Sequence, residues 1–230
     1  LATLRRQRRG LSAATPTPGR RAATRPGVQV NRQRRGVVSV VVDQEAIVVT
    51  AVDHLAALGH TELAVVRGPA AYWSASRRNQ AVERLSASSS HRALQVTLLP
   101  PAPATFDGGR MAYADVARSG ATAVVAFNDL QAAGLLVAAH EAGHPVPGSL
   151  SVVGSDGLAL ATMTSPPPPT VAAPLDALGR TARPRPADPP AREPGPMVTT
   201  LQPRLVVRYT TAAPRRPHRR NRRQPGEPTT

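Results

Sequence analysis

Between residues 37 and 179 the chain alternates apolar, β-branched runs with stretches of helical period. The runs are VVSVVV at 37–42, LAVV at 63–66, LQVTLL at 94–99, ATAVVAF at 121–127 and LSVV at 150–153. After the first run, Val48, Val52, Leu55 and Leu58 fall on one helical stripe that Gly59 ends. After the fourth, Ala132, Leu135, Leu136 and Ala139 do the same, with Asp129 as the expected N-cap and Gly143 and Pro145 as the stop. Arg77–Leu85 and Gly109–Arg118 are weaker helix candidates, and GVQV at 27–30 is a short strand candidate. Strands alternating with helices build right-handed βαβ units on a parallel sheet. The fold class is therefore α/β, a parallel sheet with flanking helices.

Charge divides the chain in the same way. All 29 basic residues are arginine, and the net charge of +15 splits into +10 over 1–36, −4 over 37–179 and +9 over 180–230. The two ends, with six prolines in 181–196, carry little that could be buried, so disorder is the expectation for 1–26, 183–196 and 214–230. With no cysteine, disulfide scaffolds, thiolate metal sites and cysteine nucleophiles drop out. No apolar run approaches the roughly 18 residues of a membrane helix, and LATLRRQRRG leads into no apolar core of a secretory signal. A cytoplasmic protein with no membrane partner is the default expectation.

In open parallel sheets a ligand sits beyond the carboxyl ends of the strands. There the sequence places Arg67-Gly68-Pro69, then Tyr72, Trp73, Ser74, Arg77 and Arg78; Phe106–Asp107; Asn128–Asp129; and Gly154–Ser155–Asp156. Arginine, asparagine and aspartate with flat aromatic rings suit a polyol or a nucleoside, by paired hydrogen bonds and apolar faces. The same residues could equally serve as caps and loop ties, above all Asp129.

One catalytic pattern needs weighing. His140-Glu141-Ala142-Gly143-His144 matches H-E-x-x-H. A zinc site needs both histidines on one face of a continuing helix and a third ligand, whereas Gly143 and Pro145 stop this helix first. No metal or cofactor is expected, and no G-x-S-x-G, P-loop or G-x-G-x-x-G is present. His54 and His60 read as surface or helix-end residues. The chain is expected not to be an enzyme.

In order along the chain, VNRQ (30–33), VVSVVVDQEA, HLAALGH, LAVVRGP, WSASRR, TAVVAFNDLQAAGLL, AAHEAGHPVPGSLSVVGSD, TSPP and TVAAPLDALGRTA resemble the effector-binding part of LacI/GalR-family transcriptional regulators. LQPRLVVRYTTAAP resembles that family's C-terminal strand. The resemblance implies a periplasmic-binding-protein-like fold of two lobes joined by crossovers, with a sugar-type effector in the cleft. It also implies a homodimer and operator DNA bound through an N-terminal helix-turn-helix. Carried over by position, the ligand-binding residues are Arg78, Asn128 and Asp156, with Trp73 and Phe106 as cleft-lining rings.

The departures shape the expected domains. Residues 1–26 are Arg/Pro-rich and hold no helix-turn-helix, the family's second aspartate after V-V-G is Gly157, and Pro168 and Pro169 stand at an expected strand entry. The effector-binding domain is placed at 27–213. Its second lobe, about 43–165 plus 199–210, reads as nearly complete; the first lobe is fragmentary, with remnants at 27–42 and 170–182 and a disrupted stretch at 183–196. The chain thus reads as a truncated regulator without its operator-reading module, expected to bind sugars weakly or not at all. Lost match with preserved length at 183–196 is what compensating small indels would leave. Rival readings are a solute-binding transport protein of the same fold and nonspecific nucleic-acid association through the basic arms.

Overall fold

The computed structural model describes residues 28–88, 91–183 and 197–215. The expectations placed on 1–26, on 184–196 and on 216–230 lie outside the described residues.

A strand whose residues are buried on alternate faces must be covered on both, and the central strands show this directly. Strand β3 (Glu62–Arg67) sends Leu63 and Val65 into one apolar cluster, and Ala64 and Val66 into another. β5 (Ala123–Val125) divides Ala123 and Val125 from Val124 in the same manner. Such near-continuous apolar runs are the mark of a parallel sheet covered by helices on each side. On the first face lie α1 (Gln44–Ala57) and α2 (Trp73–Ala87), burying Ile47, Val48, Ala51, Val52, Leu55, Val82 and Leu85. On the second lie α3 (Phe106–Ser119) and α4 (Asp129–Glu141), burying Ala112, Val116, Ala132 and Leu135. The expected stripes are therefore the buried ones, although Leu58 is the C-cap of α1 and lies past its last turn.

The large sheet also contains β4 (Gln95–Pro101), β6 (Ser151–Asp156), β7 (Thr170–Ala172) and β9 (Arg204–Val206), in the order β4-β3-β5-β6-β7-β9. All its pairings are parallel except β7 with β9. A smaller parallel sheet joins β1 (Gln29–Val30), β2 (Ser39–Val42) and β8 (Val198–Leu201) in the order β1-β2-β8. Helix α5 (Leu175–Ala182) lies against this small sheet. The α/β architecture with parallel sheets and flanking helices is the one the alternation implied.

Two segment assignments change. Residues 170–172 were expected with the first lobe, yet they form β7 beside β6; residues 199–201 were expected with the second, yet they pair with β2. The chain changes sheet after Ala172 and again after Leu201, so both short segments fall on the opposite side of the crossover. Pro168 and Pro169 cost no ladder bond, because they precede β7 and are used only as acceptors: Pro169 O from Gly154 N at 2.8 Å and Pro168 O from Arg208 Nη1 at 2.8 Å. His60 is also reassigned. It is 2% exposed, with Nδ1 2.8 Å from Thr122 Oγ1 and Nε2 2.8 Å from Ala212 O.

Candidate effector cleft

Strand order in the large sheet reverses between β3 and β5, and such a switch point opens a crevice at the carboxyl ends. A cleft of about 300 Å³ lies there, at the lower end of the range for small-molecule sites. The large sheet and its helices line it with Tyr72, Ser74, Arg78, Phe127, Asn128 and Asp156. Asn31, at the end of β1, Val42, at the end of β2, and Leu175, at the start of α5, close it from the small-sheet side, with Gln44 opening α1. Both walls are thus present among the described residues.

A polar relay crosses the cleft. Gln44 donates from Nε2 to Asn31 Oδ1 at 3.3 Å and accepts at Oε1 from Arg78 Nε at 2.9 Å. Arg78 donates from Nη1 to the carbonyl of Phe127 and holds Nη2 3.5 Å from Asp156 Oδ1. The guanidinium also lies over the Phe127 ring, 4.6 Å from its centroid, in cation–π contact. Arg78 is only 7% exposed. Burial pushes its pKa down, and the charge and hydrogen bond of Asp156 push it back up. For Asp156 the same burial raises the pKa and Arg78 opposes it. In both groups burial is the larger effect, so each is shifted toward its neutral form and the facing charge opposes that shift.

Asp156 sits at φ +97°, in the region that L-residues rarely adopt. Asn31, on the opposite wall, is at φ +51°. Backbone strain concentrated at two cleft residues is a signature of a site whose geometry is held by its surroundings.

The cap assignment reverses the expectation for the Asn128–Asp129 pair. Asn128 is the N-cap of α4: its Oδ1 accepts from Gln131 N at 2.8 Å, while Nδ2 donates to Ala104 O at 3.0 Å. Asp129 is the first helical residue and turns inward, accepting from Thr170 Oγ1 at 2.7 Å and Leu158 N at 2.6 Å. It thereby ties down the loop that follows Asp156. The expected Arg78, Asn128 and Asp156 come together at the cleft; Trp73 and Phe106 do not line it. Trp73 borders an adjoining groove with Gln33, Glu45 and Arg77, because it opens α2 one position after Tyr72 and so faces another way. Phe106 opens α3 and is 38% exposed. The rings at the cleft are Tyr72 and Phe127, with centroids 6.3 Å apart.

Gln44, Asn31 and Phe127 were missed, while Tyr72, which strand-end position does mark, is the cleft ring in place of Trp73. Asn31 and Gln44 were within reach of the rule already in use, since they follow β1 and β2 as Asn128 follows β5. The H-E-x-x-H pattern breaks as its glycine implied: α4 ends at Glu141, Gly143 is at φ +65°, and His144 Nδ1 lies 3.1 Å from Tyr113 Oη.

A two-sheet α/β protein with a polar relay and two rings at the crossover cleft defines a small-molecule-binding domain. Residues 52–211 match the family described as periplasmic binding protein-like domain. The HTH-type transcriptional regulator MalR of Streptomyces coelicolor is 32% identical over 175 residues, which are 74% of this chain and 51% of that protein. The chain spans about half the length of the curated relatives it matches. Among solved structures, a LacI family transcriptional regulator from Mycobacterium smegmatis superposes with a TM-score of 0.69 at 28% identity, covering 83% of this chain and 72% of that one. A LacI family regulator from Arthrobacter sp. FB24, in complex with lactose, gives 0.66 at 26% identity, covering 81% and 71%. The chain belongs to the periplasmic binding protein-like family, and the relatives and solved structures named above, to which it is similar, are transcriptional regulators.

Proposed function

We propose that this chain is the effector-sensing part of a LacI/GalR-type transcriptional regulator and takes a sugar or sugar derivative in the cleft. The observation that carries the reading is the relay Asn31–Gln44–Arg78–Asp156, which runs from one sheet to the other beside Tyr72 and Phe127. Hydroxyl pairs need such side chains, and the apolar face of a sugar ring needs flat ones. Asp156 and Arg78 are the principal polar contacts, with the spare N–H of Asn128 as a third. Trp73 and Phe106 touch only a ligand that extends beyond the cleft.

A ligand gripping both walls favours one relative placement of the two sheets, and differential affinity of this kind shifts a conformational equilibrium. In the whole regulator that shift changes the affinity of a homodimer for its operator, in the cytoplasm and without catalysis. The named relatives are transcriptional regulators, which supports this over a transport role. Among the described residues no helix is long and apolar enough to cross a membrane.

Calorimetry against neutral mono- and disaccharides tests the binding step. We expect an affinity on the order of 0.1 mM for at least one of them. Tyr72→Ala, at a half-exposed ring outside the core, weakens it roughly tenfold without changing the melting temperature. Absence of binding across the panel overturns the reading.

A further inference from the structure

The cleft's charge is already balanced before any ligand arrives. Its described lining contains two ionisable groups of opposite sign, Arg78 and Asp156, and they face each other at 3.5 Å. Three of the guanidinium's nitrogens are spoken for, by Gln44, the Phe127 carbonyl and Asp156. The remaining lining is amide, hydroxyl, aromatic or aliphatic. Behind Asp156 lies a second carboxyl, Asp129, bonded to Thr170 and Leu158. We infer that this cleft selects an uncharged sugar and discriminates against sugar phosphates and sugar acids; the inference rests on the sugar reading above and names the class of its ligand.

Among the described lining residues, a phosphate or carboxylate brought here has no unmatched cation to meet. It must compete with Asp156 for Arg78 and then lie beside a displaced carboxylate, in a site where screening by water is weak. Two helix starts oppose this, those of α2 and α5, where Tyr72 and Pro174 supply no side-chain cap. Each start amounts to about half a positive charge, that of α5 is offset by Asp176 in its first turn, and the N–H groups of both serve a hydroxyl oxygen equally well. Charge-paired Arg–Asp, by contrast, presents both donors and acceptors to a neutral polyol and keeps its own pairing.

The experiment is equilibrium binding of the full 230-residue chain to glucose, galactose, ribose and lactose, each beside its monophosphate or uronic acid counterpart. The expected result is that a neutral sugar binds and its charged counterpart binds about tenfold or more weakly. Asp156→Asn, which keeps a residue tolerant of positive φ, frees the charge of Arg78 and narrows that gap or inverts it. A charged counterpart that binds as tightly as the neutral sugar overturns the inference while leaving the sugar reading intact. An unchanged gap in a folded Asp156→Asn also overturns it, since the discrimination then has another source. Failure of every sugar, charged or neutral, sinks the sugar reading and this inference with it. The wild-type comparison decides the matter even where the variant does not fold.

Discussion

Asp129 Oδ1 accepts a 2.7 Å hydrogen bond from Thr170 Oγ1, joining the first turn of α4 to the first residue of β7. With Oδ2 on Leu158 N, the one carboxyl fixes both ends of the loop that leaves β6. Its position leaves no room beside it, since a Cβ on Gly154 would come within 2.3 Å of Oδ1. The residue that a sequence reading takes for a helix cap is thus a tie between sheet and helix that holds Asp156 in place.

That tie has a pH signature. Burial raises the pKa of Asp129, outweighing the bonds from Thr170 and Leu158 that lower it. A carboxyl whose folded pKa is raised contributes stability below its unfolded value, and that contribution is lost as pH rises through the folded pKa. Asp129→Asn removes the titration. The destabilisation it causes, roughly 1–3 kcal/mol from imperfect replacement of the bonds, is therefore largest near pH 4 and shrinks toward neutrality. Urea denaturation of both proteins across that interval checks it; a cost that grows with pH contradicts the assignment.

His60 gives the opposite dependence. Ala212 O can only accept, so Nε2 carries a proton, with Nδ1 facing the Thr122 hydroxyl. Burial lowers its pKa, the hydrogen bond to the Ala212 carbonyl opposes this, and nearby His54 lowers it further, the net shift being downward. Stability from such a group is present above the unfolded value and is lost as pH falls through the folded one. Denaturation midpoints are expected to drop as the solution is taken from pH 7.5 to 5.5, and the drop should be smaller in His60→Gln. The 210–212 segment is the part most exposed to this loss, since His60 and Ser151 hold Ala212 between them.

How much of this was legible in the sequence follows from what each signal measures. Period and β-branching report burial of a face, so α1, α4 and the central strands stood out. Charge and Pro/Arg content separated the ends from the middle. Strand-end position placed Arg78, Asn128 and Asp156 in a longer list, from which the family resemblance singled them out. What stayed hidden depends on facing direction over a single residue step. Tyr72 rather than Trp73 meets the cleft, and Asn128 rather than Asp129 caps the helix. Sheet membership of β7 and β8 was also hidden, because a three- or four-residue strand carries no label for the sheet it will join. The close approach of α3 to α4 depends on glycine without any turn signal: a Cβ on Gly134 would lie 2.0 Å from Phe106 O.

The arginine-rich ends bear on nucleic acid. Residues 1–36 contribute +10 with no aromatic side chain, so phosphate contacts are available and base stacking is not. The 230-residue chain should shift any duplex DNA at low salt and lose roughly a thousandfold in affinity by about 200 mM salt. Gel shifts with unrelated duplexes over a salt series test this. A footprint on one sequence that survives high salt and competitor DNA shows an operator-reading element in the chain.

Gly68 connects the core to the cleft. A Cβ there would meet the Phe127 ring at 2.5 Å from Cε2, 2.6 Å from Cδ2 and 2.6 Å from Cζ. The ring cannot retreat, because the Arg78 guanidinium covers it at 4.6 Å and Tyr72 stands on its flank. Gly68→Ala therefore drives Phe127 toward the cleft and disturbs the arginine that the relay positions. Overpacking of this kind costs about 1–3 kcal/mol, a fall in melting temperature of roughly 3–10 °C for a chain of this size. Ligand affinity should fall with it. Phe127→Leu in the same chain makes room for the new methyl, so the double variant is expected to be more stable than the sum of the two single costs predicts. Thermal denaturation of the four proteins measures that coupling. Strict additivity would mean that the ring and Gly68 are not in contact, and that Arg78 takes its position from Gln44 and Asp156 alone.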